Sequence, residues 1–390
     1  MSATAAPTGF DRLLEDLAEV HHRLSQHLTG HDHTAAELTT AMLGGLMASY
    51  LGRVCADLDH PAFLPGAGYH QRMGMPNPDT VYLTAAIDGE GVYRLTGDRG
   101  TAPEVSLMPM GGPTAAGLKT YPAIDLRSFD LDAEGKLDLV LSARRPEGHH
   151  GAWHEIARDV RSLMLRSVSD DWGQHRDPVL AITRLDRPSR RRRTSSGELA
   201  ARLAGLAQMV EGTLAFGMRK VAGLRANGTV NAVATVDYSA GGGLVGQWYH
   251  EGVFDLAEGQ VLVVEADLRR GVDTLSLALT DALGCTLDWA NAQTSLNRKQ
   301  AHRDADGFLR FIVSAQDPGV ANWLDTTGHP VGVMQLRWTG CATAPGLTFR
   351  LVDTEAVTAA LPPDTRRVSP KEREAILRAR AAGAQRRIYW

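Results

Sequence analysis

Asp325 and His329 stand four residues apart in the run Asp317-Pro318-Gly319-Val320-Ala321-Asn322-Trp323-Leu324-Asp325-Thr326-Thr327-Gly328-His329, and Asp79 stands three residues before Tyr82 in Asn77-Pro78-Asp79-Thr80-Val81-Tyr82. A carboxylate held among aromatic rings keeps its proton to higher pH and can then donate it, so Asp325 and Asp79 are candidate acids or bases, with His329 and Tyr82 as their partners. Asn297, Arg298, Asn322 and Arg337 lie near Trp289, Trp323 and Trp338 along the chain. Aromatic walls with a few fixed polar groups describe a small-molecule pocket. Arg298 or Arg337 would contact an anion or oxyanion, and the indole faces would steady a cationic intermediate. The chemistry this points to is hydration, dehydration, isomerisation or cyclisation of an apolar or amphipathic small molecule. The same groups with a bound water would give a hydrolase or group transferase, and without turnover they would give a binding module. Against all three stands a structural role: Asp-Pro-Gly and Asp306-Gly307 are turn signals, and asparagine, aspartate and arginine brace loops.

Other motifs lead elsewhere. Gly241-Gly242-Gly243-Leu244-Val245-Gly246 satisfies the dinucleotide fingerprint, with Glu265 about 20 residues on. The following Gln247 to Phe254 is β-like where a helix N-terminus must hold the pyrophosphate, so a turn is expected. Histidines cluster at His21, His22, His27, His31 and His33 and at His149, His150 and His154, and Gly148 and Gly151 disfavour the helix that would put His150 and His154 on one face. No metal site is expected, and no cofactor is identified. The chain has no phosphate-binding GxxxxGK[ST], no HExxH and no GxSxG. Asp170-Asp171-Trp172 reads as a loop.

A net charge of −4 over 390 residues gives no field for a polyanion, so nucleic acid is not an expected partner. The four arginines Arg190 to Arg193 read as a solvated linker. Cys55, Cys285 and Cys341 are too few and too scattered for a disulfide framework. With no basic-then-apolar opening and no apolar run near the ~18 residues of a membrane span, a cytoplasmic protein is expected.

These residues need elements to position them. Leu13, Leu14, Leu17 and Val20, then Leu38, Met42, Leu46, Tyr50 and Leu51, recur at helical spacing and predict two helices between Gly9 and Leu58, a lid or a homo-oligomer surface. Beyond Pro61 short β-type runs follow: Thr80 to Ile87, Gly91 to Leu95, Val105 to Met108, Lys136 to Ser142 and Val179 to Leu185, with Ser162 to Val168 strand or helix. A helix is expected from Gly197 to Leu224. Strands resume at Val230 to Tyr238, Val261 to Leu268, Thr274 to Thr280, Phe308 to Ser314, Val331 to Trp338 and Leu347 to Val352. Ser369-Pro370-Lys371-Glu372 opens a terminal helix with a serine cap, proline at the first position and glutamate three on from the cap. The organisation is an N-terminal helical element (1–60), a β-sandwich (61–190), a helical linker (191–228), a jelly-roll module (229–353) and a helical tail (354–390). The fold class is mainly β, two tandem antiparallel modules with helical additions. No internal repeat stands out.

Thr294-Ser295-Leu296-Asn297, Asp306-Gly307, the Asp317 to His329 run and Arg337-Trp338 together resemble the bacterial domain-of-unknown-function family numbered 1214, over roughly residues 230 to 345. Asn77-Pro78-Asp79-Thr80-Val81-Tyr82 is similar to the opening segment of the partner domain that commonly precedes it. The resemblance implies two β-sandwich or jelly-roll modules in one chain and carries no shared reaction.

Overall fold

The computed structural model describes residues 9–26, 32–114, 117–238, 246–269 and 271–387. The opening segment forms α1 (Phe10–Ser25) and α2 (Asp32–Ser49), the latter running into a π-helical turn at Tyr50–Cys55. Leu13, Val20 and Leu24 of α1 close on Leu38 and Met42 of α2, whereas Leu14 and Tyr50, expected on the same faces, are exposed.

The first sandwich contains β1 (Leu64–Pro65), β2 (Thr80–Ala86), β3 (Tyr93–Asp98), β4 (Glu104–Thr114), β5 (Gly117–Thr120), β6 (Ile124–Asp125), β7 (Leu137–Ser142), β8 (Trp153–Glu155), β9 (Ser162–Val168) and β10 (Val179–Arg184). Ser162 to Val168 is thus a strand; its side chains alternate between buried and half-buried along all seven residues. One sheet runs β1-β2-β9-β4-β5 with β6 also on β4; the other runs β10-β3-β7-β8. Leu83, Leu107 and Leu165 of the first sheet meet Leu95, Leu139 and Ile182 of the second in one core.

Two helices then lead into the second sandwich, α3 (Ser196–Leu203) and α4 (Leu206–Ala226), where the sequence pattern predicts one. Gly205, at φ +82, takes the left-handed conformation that breaks the run, and Ser195 with Glu198 forms a capping box at its start. The second sandwich contains β11 (Ala234–Val236), shorter than the expected Val230 to Tyr238, then β12 (Trp248–Asp255), β13 (Gln260–Asp267), β14 (Thr274–Leu279), β15 (Ser295–Asn297), β16 (Phe308–Ser314), β17 (Trp323–Asp325), β18 (Val331–Thr339) and β19 (Leu347–Asp353). Its sheets run β11-β12-β18-β14-β15 and β17-β16-β13-β19, enclosing Phe254, Leu277, Phe311, Leu336 and Trp338. A short α5 (Val357–Ala360) and α6 (Pro370–Gln385) complete the chain. Helix α6 begins with the Ser369–Glu372 capping box and Pro370 at its start, as expected.

The two sandwiches have one topology. Replacing β1, β2, β3, β4, β5, β7, β8, β9 and β10 in order by β11 to β19 turns the first pair of sheets into the second, and each unit follows a pair of helices. Each contains a parallel strand pair at the equivalent place, β7 with β8 and β16 with β17. The match reaches side chains. Trp153 Nε1 donates to Ser142 Oγ at 2.9 Å, and Trp323 Nε1 donates to Ser314 Oγ at 3.1 Å. Each serine hydroxyl then donates at 2.7 Å to the carbonyl two residues on. The chain is therefore an internal duplication. Its sequence trace is thin, Ser-Ala-x-x-Pro leading through a glycine to Trp-x-acid, Ser142 to Glu155 and Ser314 to Asp325.

Candidate functional site

A cavity of about 960 Å³ opens at one end of the second sandwich, between it and the N-terminal helices. One wall is α2, with Glu37, Thr40, Ala41 and Gly44; another is the loop Tyr69–Met73; the rest comes from the turns after β12, β14, β16 and β17. Glycine lets α2 approach that loop closely: a Cβ on Gly44 would lie 3.1 Å from the carbonyl of His70. The N-terminal helical element is thus a wall of the cavity.

Glu37, Asp281 and His329 converge on the cavity, each offering one ligand atom, with no two of these atoms more than 4.8 Å apart. They are the groups among the described residues that could hold a metal ion. Asp281 lies in the turn after β14, only 7% exposed, and its Oδ1 accepts the amides of Leu283 and Cys285 at 2.8 Å each. Burial pushes its pKa up to about 6, against the amide of Cys285 and the neighbouring His329, with Glu37 adding to the rise. Helix α4 holds this turn in place at Gly217, where a Cβ would sit 2.0 Å from the carbonyl of Leu283.

His329 is delivered by the Asp325–His329 turn. Asp325 Oδ1 accepts the amide of Thr327 at 2.7 Å, and Thr327 and Gly328 have φ of +51 and +82. A left-handed β-branched residue is strained, a condition that collects at functional sites. The ring's Nδ1 lies 2.8 Å from the carbonyl of Thr326 and 3.0 Å from the hydroxyl of Thr327, which together hold the ring's orientation. Nε2 is buried and without a hydrogen-bond partner, yet lies 2.8 Å from a Glu37 oxygen. The two atoms are close but not aligned as donor and acceptor. Thr326, itself 1% exposed and part of the cavity wall, likewise has a hydroxyl without a hydrogen-bond partner. Arg72 adds a half-buried cation to the same cavity.

Of the residues singled out in the sequence, His329 reaches this cavity. Asp325 does not pair with its ring; it caps the turn that aims His329, and Glu37 takes the partner's place. Burial raises the pKa of Asp325, against the amide of Thr327. Asp79 lies at the junction of the two sandwiches, buried, its Oδ1 accepting from Trp172 Nε1 at 2.8 Å and Asn297 Nδ2 at 2.6 Å. Burial raises its pKa, against those two bonds and the charge of Arg387. Tyr82 accepts the amide of Asn77 at 3.3 Å beneath Arg166. Trp338 is in the second core, donating to His250 at 2.9 Å. Trp289 packs edge-on to Tyr69 outside the cavity lining. Asn322 bridges the backbone of His302 and Arg310; Arg337 donates to the carbonyl of Met75 at 2.9 Å; exposed Arg298 donates to that of Asp273 at 2.7 Å. Trp323 is the buried brace already described. Most of these polar groups are bonded to backbone or to the junction, although Arg337 Nη1 has no partner, and Tyr82 and Trp289 line a separate small cavity with Tyr69 and Trp172.

Glu37, Asp281, Thr326 and Arg72 escape sequence reading. Glu37 is one acid on an amphipathic helix, and Asp281 before Gly284 reads as a turn former. Of the other patterns, Gly241 to Val245 lie outside the described residues, as do His27 and His31. His154 is on β8, not on a helix that could face it with His150. Among the described residues no helix is long and apolar enough to cross a membrane.

No protein-family model matches the chain, and no curated protein matches it. Among solved structures, the chain is similar to an uncharacterised protein from Burkholderia cenocepacia, with 27% identity and a TM-score of 0.81 over 89% of this chain and 97% of that one. A protein from Vibrio parahaemolyticus matches at 13% identity and a TM-score of 0.44, over 80% of this chain and 98% of that one. What the chain shares with the Burkholderia protein is this architecture along nearly its whole length.

Proposed function

We propose that the chain is an enzyme that performs general acid–base chemistry, as hydration, dehydration, isomerisation or cyclisation, on an amphipathic small molecule bound in the cavity beside His329. The observation that carries this reading is the convergence of Glu37, Asp281 and His329, from three distant segments, on one wall of a cavity at the upper end of the metabolite-sized range. The duplication supports it. Leu256 N bonds the carbonyl of Pro330 as Ile87 N bonds that of Arg161, which sets His329 opposite Val160 in the sister sandwich. Thr326 N to Ser314 likewise repeats Ile156 N to Ser142. Val160 and Ile156 are buried core residues, so the fold does not need a histidine or a threonine there. Apolar Ala41, Met73 and Leu256 face the same space as Arg72, suiting a substrate with an apolar body and an anionic group.

The C-terminal sandwich is read as a relative of the 1214 family and the protein as cytoplasmic. The test of function is incubation of the purified protein with a metabolite extract of its host, followed by untargeted mass spectrometry, beside heat-inactivated protein and a Glu37→Gln, His329→Ala double variant. A species depleted in favour of an isomer, or of a product differing by one water, is expected from the native protein alone. No change with native protein, or equal change with the double variant, refutes the reading.

A further inference from the structure

We propose that Glu37, Asp281 and His329 bind one divalent first-row transition-metal ion, such as zinc or manganese, on the cavity wall. The argument begins with the 2.8 Å contact between His329 Nε2 and Glu37, which is not a hydrogen bond. Two donor atoms each ~2.1 Å from a common ion lie roughly 3.0 Å apart when at right angles and roughly 3.4 Å apart in a tetrahedron. Neighbouring ligands of one ion therefore sit side by side at near-contact without pointing at one another, as these two atoms do. No separation in the set is more than 4.8 Å, which is within about half an ångström of the ~4.2 Å between ligands on opposite sides of an ion. Glu37 reaches in from a helix on a flexible side chain and can close that gap.

The surroundings favour the same reading. The Nδ1 bond to the carbonyl of Thr326 is the outer contact that metal-bound histidines use to hold the ring and its tautomer. Asp281 Oδ1 is engaged by two backbone amides, which orients the buried carboxylate. An imidazole nitrogen with two carboxylates selects zinc, manganese, iron, cobalt or nickel over calcium, which takes oxygen alone. Three protein ligands also leave open positions facing a cavity, where an ion carries water or substrate. The inference rests on the cavity being the reaction site and makes a cation-bound water its acid–base group.

The full chain, stripped with a chelator and dialysed, is titrated separately with zinc and manganese by calorimetry, and the bound metal is counted by mass spectrometry. One ion per chain is expected. Changes outside the ligand shell already cost about 10–100-fold in affinity, so Glu37→Gln and His329→Ala should each weaken binding about 100-fold or more. Glu258→Gln, an acid of the same cavity outside the set, should bind as the native chain does. Glu37 is on a helix surface with its side chain 30% exposed, so its variant tests the ligand without emptying a core. Native protein that takes up neither metal, or equal affinity in all variants, overturns the proposal. Conversion of the extract without metal uptake would leave the enzyme reading standing alone; metal uptake without conversion would leave the cation site standing alone.

Discussion

Helix α6 docks with almost no apolar surface. Its buried positions are Arg373, Arg380, Gly383 and Ala384, and Arg387 follows in the same stripe, so arginines recur every seventh residue along one face. Arg373 bonds Asp317, Gln293 and the carbonyl of Val320; Arg387 bonds Asp177 across to the first sandwich. Between them Arg380, 6% exposed, donates to the carbonyl of Trp289 at 3.0 Å, Gln300 at 3.1 Å and Ser295 Oγ at 2.8 Å, over the face of Trp172. Burial holds its pKa down to about 10. Hydrogen bonds to a charged group contribute about 1.5–3 kcal/mol each, so three give a gross of about 5–9 kcal/mol. Desolvating the guanidinium removes several of these, leaving about 2–4 kcal/mol. Arg380→Met keeps the stem on Trp172 and deletes the bonds. Amide hydrogen exchange along α6 should accelerate roughly 30–1000-fold, a tenfold change for each ~1.4 kcal/mol. Arg378→Met, exposed on the same helix, should change exchange by about twofold at most. If α6 in Arg380→Met exchanges within about threefold of the native rate, the helix is held by Ala384 and its half-buried neighbours, and the arginine account is wrong.

Three further outcomes follow from the same geometry. Because burial raises the folded-state pKa of Asp79, its contribution to stability is fully present below the unfolded pKa and is lost as pH rises through the folded one. The native chain should therefore lose stability relative to Asp79→Asn across the acidic range; denaturant titrations with a constant or opposite difference would contradict this. Gly217→Ala forces a Cβ to within 2.0 Å of the Leu283 carbonyl and should cost about 1–3 kcal/mol while shifting the Asp281 turn, so ligand and metal uptake should fall with stability. Trp323→Ala should destabilise by about 3–5 kcal/mol, measured as a lower denaturation midpoint, since its indole is a buried brace beneath Arg373; native stability with lost ligand binding would make it a pocket wall instead.

Strand and helix positions were legible wherever one face is buried. The Ser369-x-x-Glu372 cap has a local cause that leaves a local trace, whereas Ser162 to Val168 stayed open between strand and helix until its alternating burial was seen. The break at Gly205 was less legible, because Leu203 and Leu206 keep the helical spacing through it while only the backbone changes hand. The candidate site is different in kind. His329 was picked out as a partner for Asp325, and the structure keeps the histidine in the site while turning Asp325 into the cap of its turn. Its partners Glu37 and Asp281 come from segments whose own patterns call for nothing unusual, and only the packing of α2 and α4 against one sandwich end brings them together.

The duplication gives several of the conspicuous residues a structural role. Trp323, Ser314 and Asp325 repeat Trp153, Ser142 and Glu155, and a feature found in both copies answers a need of the sandwich itself: holding a short parallel strand against its neighbour. Function belongs where the copies part. Val160 and Ile156 fill a core in the first sandwich, whereas His329 and Thr326 face a cavity in the second. A polar group in a core without a partner is destabilising, and the cavity between α2 and the sandwich end gives His329 and Thr326 a space that Val160 and Ile156 do not have. Whatever occupies the space beside Nε2 should therefore be judged by how it engages His329 and Glu37 together.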